Sequence, residues 1–425
     1  MNWRKLFRYT HYVASIPPFY FVVITCASAT IGILYRQNLF TFPFQYFPFY
    51  AGLLYFVGRI AFIRAESLAV SKNEMYGYAF VGSTGLALVI QSAMGMDFVD
   101  QSNQSSWDYT FAMWAFGIAF LFAGAACNQN RQGKSLLISL FLLALVVIPL
   151  FKATEGKLLL DYTQMRTNLG MDDFTHLAIA EWVVFLLIGS YAFANEKFRP
   201  LIVLISLFCL FSLQGRSSTF FTIIAFFVYG FIHEGRKHLV AVLVMTAIAA
   251  LAYFFLPIEE LIFDADQGSI ERMTLSGEDA DVSLQGRFEI IDVSINHLPQ
   301  AALVGDPTFL AREAQSMGSY IHNLLSLWQF FGVVPFLIMI VVLIKSLRKM
   351  FTLAGSGRVS VMDEFASVLL IYSVISVIFS KSIVFYWIWF VVGYWMLDYS
   401  AGKRKRKRKR GRSGRQKTPV AATTS

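Results

Sequence analysis

Charged residues are scarce in this chain. Asp, Glu, Lys and Arg make up only 15% of its 425 residues, whereas 56% are hydrophobic. Apolar runs long enough to cross a hydrocarbon core of roughly 30 Å recur along the sequence. Together these features exclude a soluble globular protein and indicate a polytopic membrane protein.

Cysteine is rare, and the alternating pattern of amphipathic strands is missing. The three cysteines, Cys26, Cys127 and Cys209, lie within or at the ends of apolar runs. Their spacing fits neither a disulfide framework nor a metal site. The apolar runs are continuous blocks without period two, which argues against a transmembrane β-barrel. The sequence therefore predicts an all-α transmembrane bundle.

About twelve spans are predicted, interrupted by one large loop. The runs lie near 12–34, 43–63, 75–96, 109–127, 135–151, 174–194, 199–213, 217–232, 238–256, 321–344, 364–380 and 382–399. Residues 1–256 would hold helices one to nine, and residues 321–400 helices ten to twelve. Residues 257–320 form the predicted loop between them.

Positive charge is concentrated at the carboxyl end. Residues 403–417, KRKRKRKRGRSGRQK, hold 11 of the 36 Lys and Arg, which leaves 25 basic residues against 27 acidic ones elsewhere. Like-charge repulsion predicts a disordered tail over 401–425. The tail is interpreted as a cytoplasmic topology determinant that also binds anionic membrane lipids. Because the body is slightly acidic, no nucleic-acid partner is indicated.

Basic residues are nearly absent from every second connection. The other connections carry Arg4, Lys5, Arg8, Arg64, Lys72, Arg131, Lys134, Lys197, Arg199, Arg236, Lys237, Lys345, Arg348, Lys349 and Arg358. The positive-inside rule places these connections and both termini in the cytoplasm. The largest alternate connection, 257–320, has 12 acidic and three basic residues, so it is predicted to face outward.

One part of this outward loop has helical periodicity. The string RFEIIDVSINHL, 287–298, places Phe288, Ile291, Ile295 and Leu298 at helical spacing, and Pro299 follows. It predicts an amphipathic helix lying at the membrane surface.

Two arginines on the predicted outer side are candidate ligands for phosphate. Arg216 lies between two apolar runs with almost no loop around it, and Arg287 follows the same string, Ser-Leu-Gln-Gly. The planar fork of Arg matches phosphate oxygens, so the pair could clamp a diphosphate. Alternatively, Arg216 reaches the lipid headgroups, and Arg287 pairs with Glu289 or Asp292.

His322 is the candidate general base. It stands at the mouth of the apolar run 321–344, and an imidazole with a pKa near 6.5 can accept a proton at neutral pH. The alternative is an interfacial histidine bonded to a carbonyl group or water. The remaining histidines lie on the predicted cytoplasmic side or lack comparable neighbours.

These residues resemble the O-antigen ligase and O-antigen polymerase superfamily of membrane GT-C-class glycosyltransferases. The resemblance covers roughly 174–345: Arg216 between two spans, then GRFEIIDVSINHLPQAALVGDP, then IHNLLSLWQFFGVVPF. It differs at the turn after Pro299, where the family often has Gly-x-Gly and this chain has Val304, Gly305 and Asp306.

The resemblance implies roles for the candidate residues. Arg216 and Arg287 would hold the diphosphate of an undecaprenyl-linked saccharide, and His322 would activate the acceptor hydroxyl without a metal or cofactor. Supporting positions are Gln214, Gln285, Arg272, Tyr320, Asn323 and Gly305.

The expected function is polymerisation of undecaprenyl-diphosphate-linked oligosaccharide repeat units at the outer face of a bacterial inner membrane. The expected partners are that lipid-linked saccharide, membrane lipids and a chain-length regulator protein. A ligase that transfers the glycan to lipid A core or protein is the first alternative. A polytopic transporter or flippase, which could also use intramembrane Arg and His, is the second.

Overall fold

The computed structural model describes residues 18–34, 72–100, 105–128, 133–154, 160, 176–213, 215–233, 289–314, 321–354, 359–383 and 385–397. Within these residues the chain is helical apart from turns and an isolated bridge between Val99 and Ser105. The helices are α1 Pro18–Leu34, α2 Lys72–Ala93, α3 Ser106–Cys127, α4 Leu136–Ala153, α5 His176–Phe193, α6 Arg199–Ser212, α7 Arg216–His233, α8 289–297, α9 Phe309–Ala314, α10 Ser326–Phe331, α11 Val333–Ala354, α12 Val361–Phe379 and α13 Tyr386–Met396.

The all-α class predicted from the sequence is confirmed for these residues. Three helices, α3, α4 and α12, are long and apolar enough to cross a membrane by length and composition. The predicted runs 43–63 and 238–256 and the tail 401–425 lie outside the described residues.

Glycines allow α3 and α13 to pack with their backbones in contact. A Cβ atom added to Gly393 would overlap the carbonyl group of Leu121, and one added to Gly124 would overlap that of Phe390. Small residues permit such close helix packing in membrane proteins. The ring of Trp389 covers Gly117 in the same interface, so the two helices form one tightly packed pair.

Side-chain contacts join connections that were predicted to lie on the cytoplasmic side. Lys349 Nζ donates to the Trp395 carbonyl at 2.9 Å, and the Tyr394 hydroxyl donates to Asp363 Oδ1 at 2.8 Å. Arg199, at the start of α6, forms a buried ion pair with Glu364 near the start of α12. These contacts define one end of the bundle, called here the α13 carboxyl end.

The opposite end joins connections predicted to face outward. Gln91 Nε2, near the end of α2, donates to the carbonyl groups of Val304 at 2.6 Å and Phe330 at 2.7 Å. The Ile383 N–H, before α13, donates to Ser326 Oγ at 2.7 Å. These contacts define the opposite end of the bundle, and its orientation in a membrane stays a prediction.

The predicted continuous run 321–344 is broken at Gly332. This residue has φ 89° and ψ 175°, a conformation essentially restricted to glycine, and it separates α10 from α11. A Cβ atom there would overlap the Leu303 carbonyl group, and the Val333 N–H donates to Ala302 O at 2.8 Å. The loop that is predicted to face outward therefore packs directly into the helix break.

The segment 289–325 has a small apolar core of its own, to which Trp328 of α10 also contributes. Leu298, Leu310 and Ile321 are buried together, and Ile291 and Trp328 pack against them. Helix α8 lies inside the predicted helical string 287–298 and ends before Pro299. Val293 and Ile295 are 47% and 50% exposed, so α8 has two apolar side chains directed away from this core.

Candidate functional site

A buried ion pair lies at the end of the bundle that is predicted to face outward. Lys381 Nζ, in the α12–α13 loop, is 2.6 Å from Glu181 Oε1 on α5, with side-chain exposures of 10% and 20%. The Lys381 N–H donates to the Ser376 carbonyl at 2.7 Å, which places this cation at the carboxyl end of α12, where the helix dipole favours it. Burying charges among apolar helices is costly unless they are paired.

The same loop contacts the segment that carries His322. Ser326 Oγ accepts the Ile383 N–H and donates to the Asn323 carbonyl at 2.7 Å. Asn323 Oδ1 in turn accepts the Leu325 N–H at 2.8 Å. The half-buried His322 therefore lies in a turn that is tied to the loop holding Lys381.

The turn is also fixed on the other side of His322. The N–H of the fully buried Ile321 donates to Gln329 Oε1 at 3.1 Å. Both neighbours of His322 in sequence thus make defined hydrogen bonds. The hydrogen bonds of its neighbours therefore fix the backbone position of His322, the predicted base.

Helix α7 begins beside the ion pair. A Cβ atom added to Gly215 would lie 2.8 Å from the Cβ of Ala180, the residue before Glu181. Arg216 is the first residue of α7, so its backbone starts near Glu181, the α5 partner of the charged pair. The first N–H groups of a helix have no acceptor within the helix and favour anions.

Three buried hydroxyl groups lie close to the Glu181–Lys381 ion pair. The Tyr372 hydroxyl lies near those of Ser218 and Ser376 and within electrostatic reach of Glu181. All three residues are 0% exposed, and their hydroxyls interact with one another without hydrogen bonds of good geometry. An unsatisfied buried polar group costs about 1–3 kcal/mol, so a bound polar molecule that accepted hydrogen bonds from these hydroxyls would stabilise this place.

The backbone of Gly305 allows the loop that is predicted to face outward to pack closely against the helix break. Its φ is 79°, and a Cβ atom there would lie 2.6 Å from the Gln329 carbonyl oxygen. The next residue, Asp306, donates its N–H to that same carbonyl at 2.7 Å. Glycine is therefore required at this position for backbone reasons, which gives Gly305 a structural role.

Asp306 also organises a polar cluster on the surface. Its carboxylate lies 3.3 Å from His297 Nε2 and accepts hydrogen bonds from Arg312 at 3.1 Å and from the Thr308 hydroxyl at 2.6 Å. The His297 ring stacks on Phe309 with centroids 3.6 Å apart. Sequence reasoning found no neighbours for His297, because this partner becomes adjacent only through the turn after α8.

The connection between α2 and α3, also predicted to face outward, is organised by one carboxylate. Asp97 Oδ1 accepts the N–H groups of Phe98 and Trp107 and the hydroxyls of Ser105 and Ser106 at 2.8–3.2 Å. Burial raises the pKa of Asp97, but these four hydrogen bonds outweigh it, so its pKa lies below its ordinary value. The turn before α3 is therefore built on an ionised side chain.

The predicted site residues divide into those described and those not described. His322, Asn323 and Gly305 are placed as above, and Arg216 is placed through its backbone. Residues outside the described ranges are Arg287, Arg272, Gln214, Gln285 and Tyr320. The sequence reasoning missed Glu181 and Lys381, although an isolated charge within or beside an apolar run is the signal that finds such residues.

Known proteins give no relative for this chain. No family model, curated protein or solved structure matches it.

Proposed function

We propose that this protein is a membrane glycosyltransferase that polymerises undecaprenyl-diphosphate-linked oligosaccharide repeat units at the outer face of a bacterial inner membrane. The observation that supports this proposal best is the meeting of the His322 turn, the Lys381 loop, Glu181 and the start of α7 at one end of the bundle. A titratable imidazole, a buried cation and a helix amino terminus are the groups that a transfer from a lipid diphosphate needs.

In the proposed reaction, His322 accepts the proton of an acceptor hydroxyl. The hydroxyl oxygen attacks the anomeric carbon of the donor from the side opposite the leaving group. The bond between that carbon and the diphosphate oxygen breaks, and polyprenyl diphosphate leaves, so the anomeric configuration inverts. Arg216 and Arg287 would hold the departing phosphates in the bidentate geometry that Arg provides.

The membrane arrangement belongs to the same proposal. The chain would cross the membrane about twelve times with both termini in the cytoplasm, and 257–320 would cover the outer end of the bundle. A lipid-borne donor and a water-borne acceptor portion could then meet at His322. Bringing the two reactants together supplies much of the rate enhancement in such a transfer.

Purified protein in detergent tests the proposal when it is mixed with lipid-linked repeat units and no ion gradient. Products longer than one repeat, still attached to the lipid diphosphate, would support polymerisation. Transfer only to added lipid A core or to protein would instead identify a ligase. Absence of any new glycosidic bond, combined with movement of the substrate across vesicles, would overturn the proposal in favour of a transporter.

A further inference from the structure

We infer that Lys381 is an exchangeable cation that binds a phosphate or diphosphate group, with Glu181 as its counter-ion while no ligand is bound. The inference concerns the polar cluster formed by Glu181, Lys381, Tyr372, Ser218 and Ser376. It rests on the proposed function only in taking a lipid diphosphate as the natural anion. The site itself follows from the arrangement of donors.

Most polar groups in the cluster can donate hydrogen bonds to an anion. Lys381 has three N–H groups, of which Glu181 accepts one at 2.6 Å. The hydroxyls of Tyr372, Ser218 and Ser376 are near one another but form no hydrogen bond of good geometry among the described residues, although each residue is 0% exposed. Buried donors gathered around a cation match the oxygens of a phosphate group.

The start of α7 adds further donors to the same place. Ser218 is the third residue of this 18-residue helix, and Gly215 packs against Ala180 beside Glu181. The N–H groups of the first turn therefore lie next to the ion pair, where the helix dipole attracts negative charge. The buried hydroxyl of Ser218, which has no hydrogen bond of good geometry among the described residues, also lies in this first turn, so side-chain and backbone donors would act together on an anion.

Glu181 explains how the cation is kept in place without a ligand. An unpaired Lys at 10% exposure would be unfavourable, and the carboxylate removes that cost. Glu181 is the more exposed partner at 20%, so it can turn toward water when an incoming phosphate takes its place. The ion pair and the bound anion are thus alternative states of one site.

Thermal unfolding of the detergent-purified full chain in the presence of inorganic pyrophosphate tests this inference. Pyrophosphate should raise the melting temperature of the wild type. Glu181→Gln should bind pyrophosphate more tightly, because the competing carboxylate is gone. In the double variant Glu181→Gln with Lys381→Met, binding should weaken by about 10- to 100-fold, the loss expected for hydrogen bonds to a charged group.

The double variant contains no unpaired buried charge, so it keeps the inference testable if Lys381→Met alone fails to fold. Lys134 and Glu196 form an exposed ion pair, with exposures of 34% and 73%, and Lys134→Met with Glu196→Gln is the matched control. The control should bind pyrophosphate like the wild type. Equal binding in the Glu181/Lys381 double variant, or no binding by the wild type, would overturn the inference.

Binding measurements in lipid nanodiscs distinguish two sources of the phosphate group, a phospholipid headgroup and a lipid-linked diphosphate. If a phospholipid headgroup is the ligand, phosphatidylglycerol should compete with pyrophosphate, whereas phosphatidylcholine should not. A site reserved for a lipid-linked diphosphate should bind pyrophosphate equally in both lipids. Pyrophosphate binding without glycosyl transfer would support the anion site and contradict the proposed function. Glycosyl transfer without pyrophosphate binding would support the proposed function and contradict the anion site.

Discussion

The Gln91 side chain joins two carbonyl groups that are far apart in sequence, those of Val304 and Phe330, with its Nε2 at 2.6 and 2.7 Å. Phe330 lies in the last turn of α10, just before the break at Gly332. Val304 lies in the loop that is predicted to face outward. The amide group on α2 therefore links this loop to the broken helix, in addition to the backbone hydrogen bonds from Asp306 to Gln329 and from Val333 to Ala302.

Gln91→Leu should loosen this attachment. Both carbonyl groups would lose a buried donor, and each such loss costs about 1–3 kcal/mol. We expect a lower melting temperature and faster proteolysis within 299–314. Ser92→Ala, at the exposed neighbouring position, is the control and should change neither property. Equal protease resistance in wild type and Gln91→Leu would show that the loop is held by other contacts.

Gly332→Ala should destabilise the break between α10 and α11. A backbone conformation of this kind costs about 1–3 kcal/mol for a residue with a Cβ atom, and the added methyl group would also overlap the Leu303 carbonyl group. Gly82→Ala in α2, where a Cβ atom meets nothing within 4 Å, should instead be neutral or stabilising. Thermal unfolding of the two variants in the same detergent measures the difference.

His322→Gln should leave a folded, membrane-inserted protein that binds the lipid-linked donor and scarcely turns over. Removing a positioned general base costs about 10²- to 10⁴-fold in rate, while Gln keeps a polar side chain of similar reach. His233→Gln, at the end of α7, serves as the control. A near wild-type rate between about pH 5 and 8 would move the base elsewhere, with Glu289 and Asp292 the next candidates to test.

Acid should open the turn that Asp97 holds. Because its pKa is lowered in the folded protein, the ionised carboxylate stabilises the turn above the unfolded pKa of about 3.9. That stabilisation disappears as the pH falls through the lowered folded pKa. Hydrogen exchange at the N–H groups of Phe98 and Trp107 should therefore rise, relative to intrinsic exchange, only at strongly acidic pH. In Asp97→Asn this additional rise should be absent.

The two sides of the membrane can be assigned with reporter fusions. Fusions after Gly277 and after Lys403 should report opposite sides, because basic residues alternate from connection to connection. The first should be extracytoplasmic and the second cytoplasmic. If both fusions reported the same side, the proposed location of His322 at the outer face would be wrong.

Continuous apolar runs predicted most of the long helices among the described residues, because length and hydrophobicity determine a buried helix without knowledge of its neighbours. The break at Gly332 was not predictable in this way. Gly332 lies inside an apolar run, and its conformation depends on the Leu303 backbone, which the sequence places 29 positions earlier. Local pattern contains no information about such a contact.

Only part of the candidate site was predicted, because local pattern does not show contacts between distant positions. His322 was found because a titratable residue at a helix mouth is locally conspicuous. Glu181 and Lys381 are separated by 200 positions, and only the packing of α5 against α12 and its following loop makes them a pair. Their individual signals were single charges at the margins of apolar runs.

The close backbone packing of α3 and α13 has a mechanical consequence for Lys381. This residue belongs to the short loop before α13, and α13 cannot slide along α3 without a clash at Gly124 or Gly393. The packing of α13 against α3 therefore restricts movement of the backbone at Lys381. Glu181 is the partner free to yield, so adaptation to differently sized anions would come from its side chain rather than from the lysine.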